Sequence, residues 1–118
     1  MLPETVRLSK TSKEQLLRLK RRTGIQNWNT LSRWGLCLSL ADARPPSEAP
    51  IEDSNVEMSW RTFGGTHADV YRALLLQRAR TDGIEPNLAL RLHLSRGIAR
   101  LSDCANLEEL LQLAATTG

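Results

Sequence analysis

The sequence predicts a mainly α protein, a compact helical domain with one short β-strand close to its N-terminus. Aromatic residues are only 4% of a chain that is 41% hydrophobic, so the core must rest mainly on leucine, which suits helices. Five stretches repeat their apolar residues at helical spacing between start and stop signals, whereas Val6 to Ser9 alternate apolar and polar side chains. No solenoid period is present, and 118 residues suffice for a single domain, 1–118, with a modest core.

In the strand, a period of two places Val6 and Leu8 on one face and Arg7 and Ser9 on the other. Thr11 and Ser12 are alternative N-caps for the first helix, because Glu14 and Gln15 follow them by three residues in the capping-box pattern. Gly24 fits the position after the helix, where positive φ costs little, and Arg21 and Arg22 suit the negative end of its dipole. On the helical wheel Arg18, Arg21 and Arg22 share an arc with Glu14, opposite Leu16 and Leu19. Leu17 lies between the arcs and reaches the buried side only if Lys13 and Lys20 come with it, so Leu17 is expected to be exposed or to meet another subunit.

Asn27 or Asn29 caps a second helix running to Asp42, with Leu31, Trp34, Leu38 and Ala41 as one stripe and Leu36, Cys37 and Leu40 adding apolar surface elsewhere. Trp28 is expected to anchor packing in preference to stacking on a base. The Pro-rich run from Ala43 to Ser54 reads as a loop, and 45–57 as an acidic, Pro-rich segment. Val56, Met58 and Trp60 then alternate with Glu57, Ser59 and Arg61, which suits an extended piece, with helix as the alternative. Gly64-Gly65 reads as a hinge or close approach, since the spacing of a phosphate loop is missing. Thr66 and Asp69 resemble a capping pair for a third helix that ends at Asp82-Gly83. Pro86 opens a fourth helix with a stripe of Leu90, Leu94, Gly97, Ile98 and Leu101, leaving Arg91, His93, Arg96 and Arg100 outside it; Gly97 allows a close helix contact. Asn106 and Glu109 cap a fifth helix to about Ala114, and Thr116 to Gly118 are expected to fray.

The net charge of +3 is unevenly spread. Residues 1–44 carry nine Lys or Arg against three Asp or Glu, residues 45–70 one against five, and residues 71–118 six against five. A basic N-terminal third points toward nucleic acid, because neutralising phosphates releases counterions whatever the base sequence. Pro3, Glu4 and Arg7 interrupt any secretory apolar run, and no stretch is long enough to span a membrane, so a cytoplasmic location is expected. Cys37 and Cys104 form no CxxC pair and are expected as buried free thiols.

Catalytic signals are weak. Cys37, His67, His93 and Cys104 match no paired-ligand spacing, so no metal site is expected, and no Cys-His nucleophile pair is indicated. Glu48, Glu52, Asp53 and Glu57 are strung along one segment and form neither a paired-carboxylate nor a two-metal centre. No cofactor is expected, and the sequence favours binding over catalysis.

The stretches Arg7-Leu-Ser-Lys-Thr-Ser-Lys-Glu-Gln-Leu, Leu19-Lys-Arg-Arg-Thr-Gly-Ile25, Trp28-Asn-Thr-Leu-Ser-Arg-Trp34, Ser54-Asn-Val-Glu-Met-Ser-Trp60 and Arg91-Leu-His-Leu-Ser-Arg-Gly-Ile98 resemble, in order, the DndE family of bacterial DNA phosphorothioation systems. The resemblance implies a cytoplasmic component of the machinery that puts sulfur in place of a non-bridging phosphate oxygen of DNA, with other subunits carrying the desulfurase, iron-sulfur and ATPase chemistry. It also implies a helical homo-oligomer, a tetramer, that binds duplex DNA with a preference for nicks. The expected DNA-binding residues are Lys10, Lys13, Arg18, Lys20, Arg21 and Arg22, joined by Arg7 on the polar face of the strand. Arginine in place of lysine keeps the phosphate contact and changes its geometry. Ser95 stands where some relatives carry histidine, so a role for a paired histidine is not expected.

A strand followed by two helices is also ribbon-helix-helix-like, which makes a transcriptional repressor reading base edges with paired strands the second reading. A DNA-nicking enzyme and a pure protein-interaction subunit are the remaining alternatives.

Overall fold

The computed structural model describes residues 4–104 and 106–117. Strand β1 (Thr5–Ser9) leads directly into α1 (Lys10–Thr23), and α2 (Trp28–Ala41) follows after a short turn. Strand β2 (Asp53–Ser59), the short α3 (Trp60–Gly64) and a 3-10 turn (Gly65–His67) lead to α4 (Ala68–Asp82), α5 (Pro86–Ser102) and α6 (Leu107–Thr117).

The cap of α1 is Ser9, earlier than either expected serine or threonine. Ser9 has the extended backbone of the strand that it ends, and its Oγ accepts from the Ser12 N–H at 3.0 Å. That bond places Thr11 and Ser12 inside the first turn, and Ser12 is buried. Gly24 closes the helix at φ 78°, its N–H donating to the Lys20 carbonyl at 2.9 Å.

The two strands form an antiparallel pair, Thr5 opposite Ser59, Val6 opposite Met58 and Arg7 opposite Glu57, with an irregularity before Ser9 and Asp53. The acidic segment 45–57 is therefore a loop only as far as Glu52. At the irregularity the Ser54 hydroxyl donates to the Leu8 carbonyl at 2.8 Å. Trp60 leaves the alternation because Ser59 caps α3, accepting from the Thr62 N–H at 3.1 Å. Since β1 pairs within its own chain, the repressor reading loses the unpaired ribbon it would lay against a second copy.

Helix α2 lies across α5 at the centre of the core. Its buried face is Leu31, Ser32, Gly35, Leu36, Leu38 and Ser39, and the expected stripe is rotated so that Trp34 and Ala41 are exposed. The reason is the crossing: a Cβ on Gly97 would stand 1.6 Å from the Gly35 carbonyl oxygen, so only small residues fit where α2 and α5 meet. Gly97 thus makes the close contact expected of it. The other stripe residues of α5, Leu90, Leu94, Ile98 and Leu101, are buried, but so is His93, which was expected outside.

Gly64 also allows a close approach, since a Cβ there would lie 3.0 Å from the Ala68 Cβ and 3.2 Å from the Tyr71 ring. The Thr66–Asp69 capping pair is not used. The 3-10 turn runs straight into α4, and the Ala68 N–H bonds back to the Gly65 carbonyl, leaving the capping role empty. Pro86 does sit in the first turn of α5, capped by the Glu85 carboxylate, which accepts from Asn87 and Leu88 N–H at 3.0 and 2.9 Å. Asn106 caps α6 through the Glu109 N–H at 3.0 Å. That helix continues past Ala114 to Thr117; Gly118 lies outside the described residues. Cys104 is buried as expected, while Cys37 is exposed on the rotated face of α2. No described helix is long and apolar enough to cross a membrane.

Candidate nucleic-acid interface

Helix α1 buries Ser12, Leu16, Leu19 and Thr23, and every cation of the helix lies off that stripe. Taking about 100° per residue, the exposed arc centres on Lys10, Leu17 and Arg21, flanked by Lys13 and Lys20 on one side and Arg18 and Arg22 on the other. Leu17 is 39% exposed, an apolar spot amid cations. Lys20, Arg21 and Arg22 also occupy the last turn, where the helix dipole favours them, so part of this charge stabilises the helix itself.

The partners divide the seven expected DNA-binding residues into two groups. Arg7 and Lys10 are already neutralised by β2 and the residue before it. Arg7 pairs with Glu57 at 2.8 Å and donates to the Ser54 carbonyl at 3.0 Å. Lys10 pairs with Glu52 at 2.7 Å, and this pair raises the lysine's pKa and lowers the glutamate's. The remaining five make no ion pair among the described residues, although the exposed Glu14 shares their arc. Lys13 donates to the neutral Asn55 side chain at 2.7 Å, and Arg22 to the Ser102 carbonyl at 3.1 Å, tying α1 to the end of α5. Lys20 lies 3.8 Å from the centroid of the Trp28 ring, and partial burial lowers its pKa. Trp28 itself is half-buried against the core. Arg18 and Arg21 are exposed and have no partner among the described residues.

A second polar cluster gave no signal in the sequence. Helix α2 has no cation in its last turn, and its terminal carbonyls are met instead by arginines from two other helices. Arg96 donates from Nη2 to the Ser39 carbonyl at 2.7 Å, and Arg78 from Nη1 to that of Leu40 at 3.0 Å and from Nη2 to that of Asp42 at 2.6 Å. Both also reach the Arg44 carbonyl, at 2.8 Å each. Arg78 is anchored by Asp82 at 2.8 Å, one helical turn further on.

Within this cluster Ser39 Oγ lies 2.7 Å from His93 Nδ1, and His93 Nε2 lies 4.0 Å from Asp82. The line-up resembles a nucleophile, base and acid, but Ser39 is 2% exposed and its oxygen already accepts from Arg96 Nε at 2.8 Å. A nucleophile must reach its substrate; this one is walled in, and the arrangement serves the fold. Among the described residues no three His, Cys, Asp or Glu side chains are grouped to hold a metal ion.

Two solved structures share the fold. A crystal structure of DndE from Escherichia coli B7A, involved in DNA phosphorothioation modification, is 24% identical, with 86% of this chain and 98% of that chain covered and a TM-score of 0.71. A crystal structure of a DndE mutant involved in DNA phosphorothioation is 23% identical, with 86% and 100% covered and a TM-score of 0.64. No curated protein matches the chain. The family described as DNA sulphur modification protein DndE matches residues 5–109, from the first strand into the last helix, and the chain belongs to that family.

Proposed function

We propose that the chain, as a single domain 1–118, is a non-catalytic DNA-binding subunit of a phosphorothioate-modification complex, acting in the cytoplasm beside the subunits that perform the sulfur chemistry. The observation that carries this reading is the cationic arc on α1: Lys13, Arg18, Lys20, Arg21 and Arg22 face away from the buried leucines, outnumber the one carboxylate of the arc, Glu14, and none is held in an ion pair among the described residues. Five such charges suit phosphates of a duplex without base readout. Arg7 and Lys10 join them once their glutamates are displaced. A preference for nicked duplex follows from the family resemblance, as does assembly into a tetramer. Exposed Leu17, Val70 and Leu74 offer apolar surface for such contacts.

A titration of intact and nicked duplexes at two salt concentrations tests the reading. Wild-type protein is expected to bind the nicked duplex more tightly and to lose affinity steeply as salt rises. Lys13→Glu/Arg21→Glu should weaken binding to both and lower the salt slope by about two. Affinity that stays flat with salt, or is unchanged in the variant, would remove α1 from the interface.

A further inference from the structure

The geometry points to a second anion site, separate from α1: Arg44, Arg96 and Arg100 line a depression that takes a tetrahedral oxyanion of the phosphate-monoester class. The depression, about 280 Å³ in volume, lies between the end of α2 and the second half of α5, with Leu38, Ser39, Asp42 and Gly97 completing the wall.

Three guanidinium groups face one carboxylate there, and that carboxylate is already engaged. Asp42 Oδ1 accepts from the backbone N–H and Nε of Arg44 at 3.0 and 3.1 Å, and its Oδ2 from Arg44 Nη2 at 2.9 Å. This fork holds the Asp42 carboxyl well below the usual carboxylate range and cancels one charge. Arg96 and Arg100 are left with two.

Arg96 is fixed in place by neutral oxygens alone, the Ser39 hydroxyl and carbonyl and the Arg44 carbonyl. Three of its five N–H groups are used, and two remain. Burial presses its pKa down, with the Arg78 and Arg44 cations adding to that and the Asp42 and Asp82 carboxylates pulling the other way without making an ion pair with it. Of the other groups packed around it, Asp82 is paired with Arg78, and His93 is neutral, its pKa pushed down to about 4. Arg100 is exposed and without a partner among the described residues. The carbonyls that end α2 are already bonded to Arg78 and Arg96, so they do not repel an incoming anion.

Three arginines against one aspartate leave the lining a net charge of +2, which matches a phosphomonoester dianion better than a carboxylate or an internal phosphodiester, each of which carries one. Guanidinium groups also present the paired N–H geometry that phosphate oxygens accept. The chemistry is shared by free phosphate and by the terminal phosphate of a nucleic-acid strand.

The test is a heteronuclear NMR titration of the full chain with inorganic phosphate at constant ionic strength. Saturable shifts are expected at the amides of 42–44 and 97–100. Arg100→Gln should weaken the binding about tenfold with an unchanged melting temperature, and Arg18→Gln, on the α1 face, should leave it intact. A second arm compares duplexes that carry either a 5′-phosphate or a 5′-hydroxyl at the nick. Preference for the phosphorylated nick, lost in Arg100→Gln, identifies a strand terminus as the source; phosphate binding without that preference identifies free phosphate. Absence of saturable phosphate binding, or binding lost in Arg18→Gln and kept in Arg100→Gln, overturns the site.

Discussion

Burial leaves the His93 imidazole with one polar neighbour on each side, and the two differ in kind. Arg96 Nε can only donate, so Ser39 Oγ accepts from it and has its own proton free for His93 Nδ1. The ring proton then sits on Nε2, facing Asp82 at 4.0 Å, too far for a hydrogen bond. Desolvation, with Arg96 and Arg78 nearby, lowers the pKa to about 4 against an ordinary 6.5. Below 6.5 the unfolded chain takes up a proton that the folded chain refuses, so the stability this residue contributes is whole above that pH and falls as pH drops toward 4. Between pH 7 and 5 the loss is about 2 kcal/mol. Urea unfolding at the two pH values checks it: His93→Asn, whose amide oxygen can take the Ser39 proton, should remove most of this slope. The placement of His93 was not legible, because α5 is packed on nearly every side. At the position of His93 the helix has no solvent face, although Arg100 further along is exposed, and periodicity alone does not reveal that. Gly97 was legible, since a glycine amid Leu94, Ile98 and Leu101 marks a place where a backbone comes near.

Secondary-structure elements were legible where a few adjacent residues define them, and obscure where distant residues do. The end of α1 at Gly24 and the start of α5 at Pro86 follow from single residues with restricted or permissive φ. Strand β2 was legible only in part: Val56 and Met58 alternate with Glu57 and Ser59 as an extended piece should, but Asp53 and Ser54 read as loop, and the pairing partner is β1, nearly fifty residues earlier in the chain. That pairing sets Glu57 against Arg7 and Glu52 against Lys10, so the acidic segment supplies counter-ions to the edge of the basic face. Phosphates must displace those carboxylates before either cation can bind DNA. Glu52→Gln/Glu57→Gln should therefore tighten duplex binding several-fold and steepen its salt dependence by about two charges, measured by fluorescence anisotropy. Unchanged affinity would exclude Arg7 and Lys10 from the interface. Of the seven expected contact residues, the five without carboxylate partners were the ones whose wheel positions alone describe them; the other two needed the sheet.

At the scale of the whole molecule, one crossing joins the parts. Helix α5 touches α1, α2, α4 and the sheet, and α2 meets it through Gly35 and Gly97. A methyl group at Gly97 would overlap the Gly35 carbonyl, so Gly97→Ala must push the two helices apart and loosen everything seated on them. Thermal unfolding should show a loss of about 3 kcal/mol or more, whereas Gly24→Ala, at positive φ in open space, should cost about 1 kcal/mol. Such a difference between two glycines in one chain separates helix crossing from turn geometry.

The antiparallel register of Thr5 with Ser59 also orders events during synthesis. The strand made first waits for its partner until the ribosome has released residues 53–59, and the leucines of α1 wait longer still, for α5. Until then the basic segment lacks Glu52 and Glu57 and is at its most cationic. Folding of the acidic segment thus sets the net charge at this edge as well as its backbone pairing.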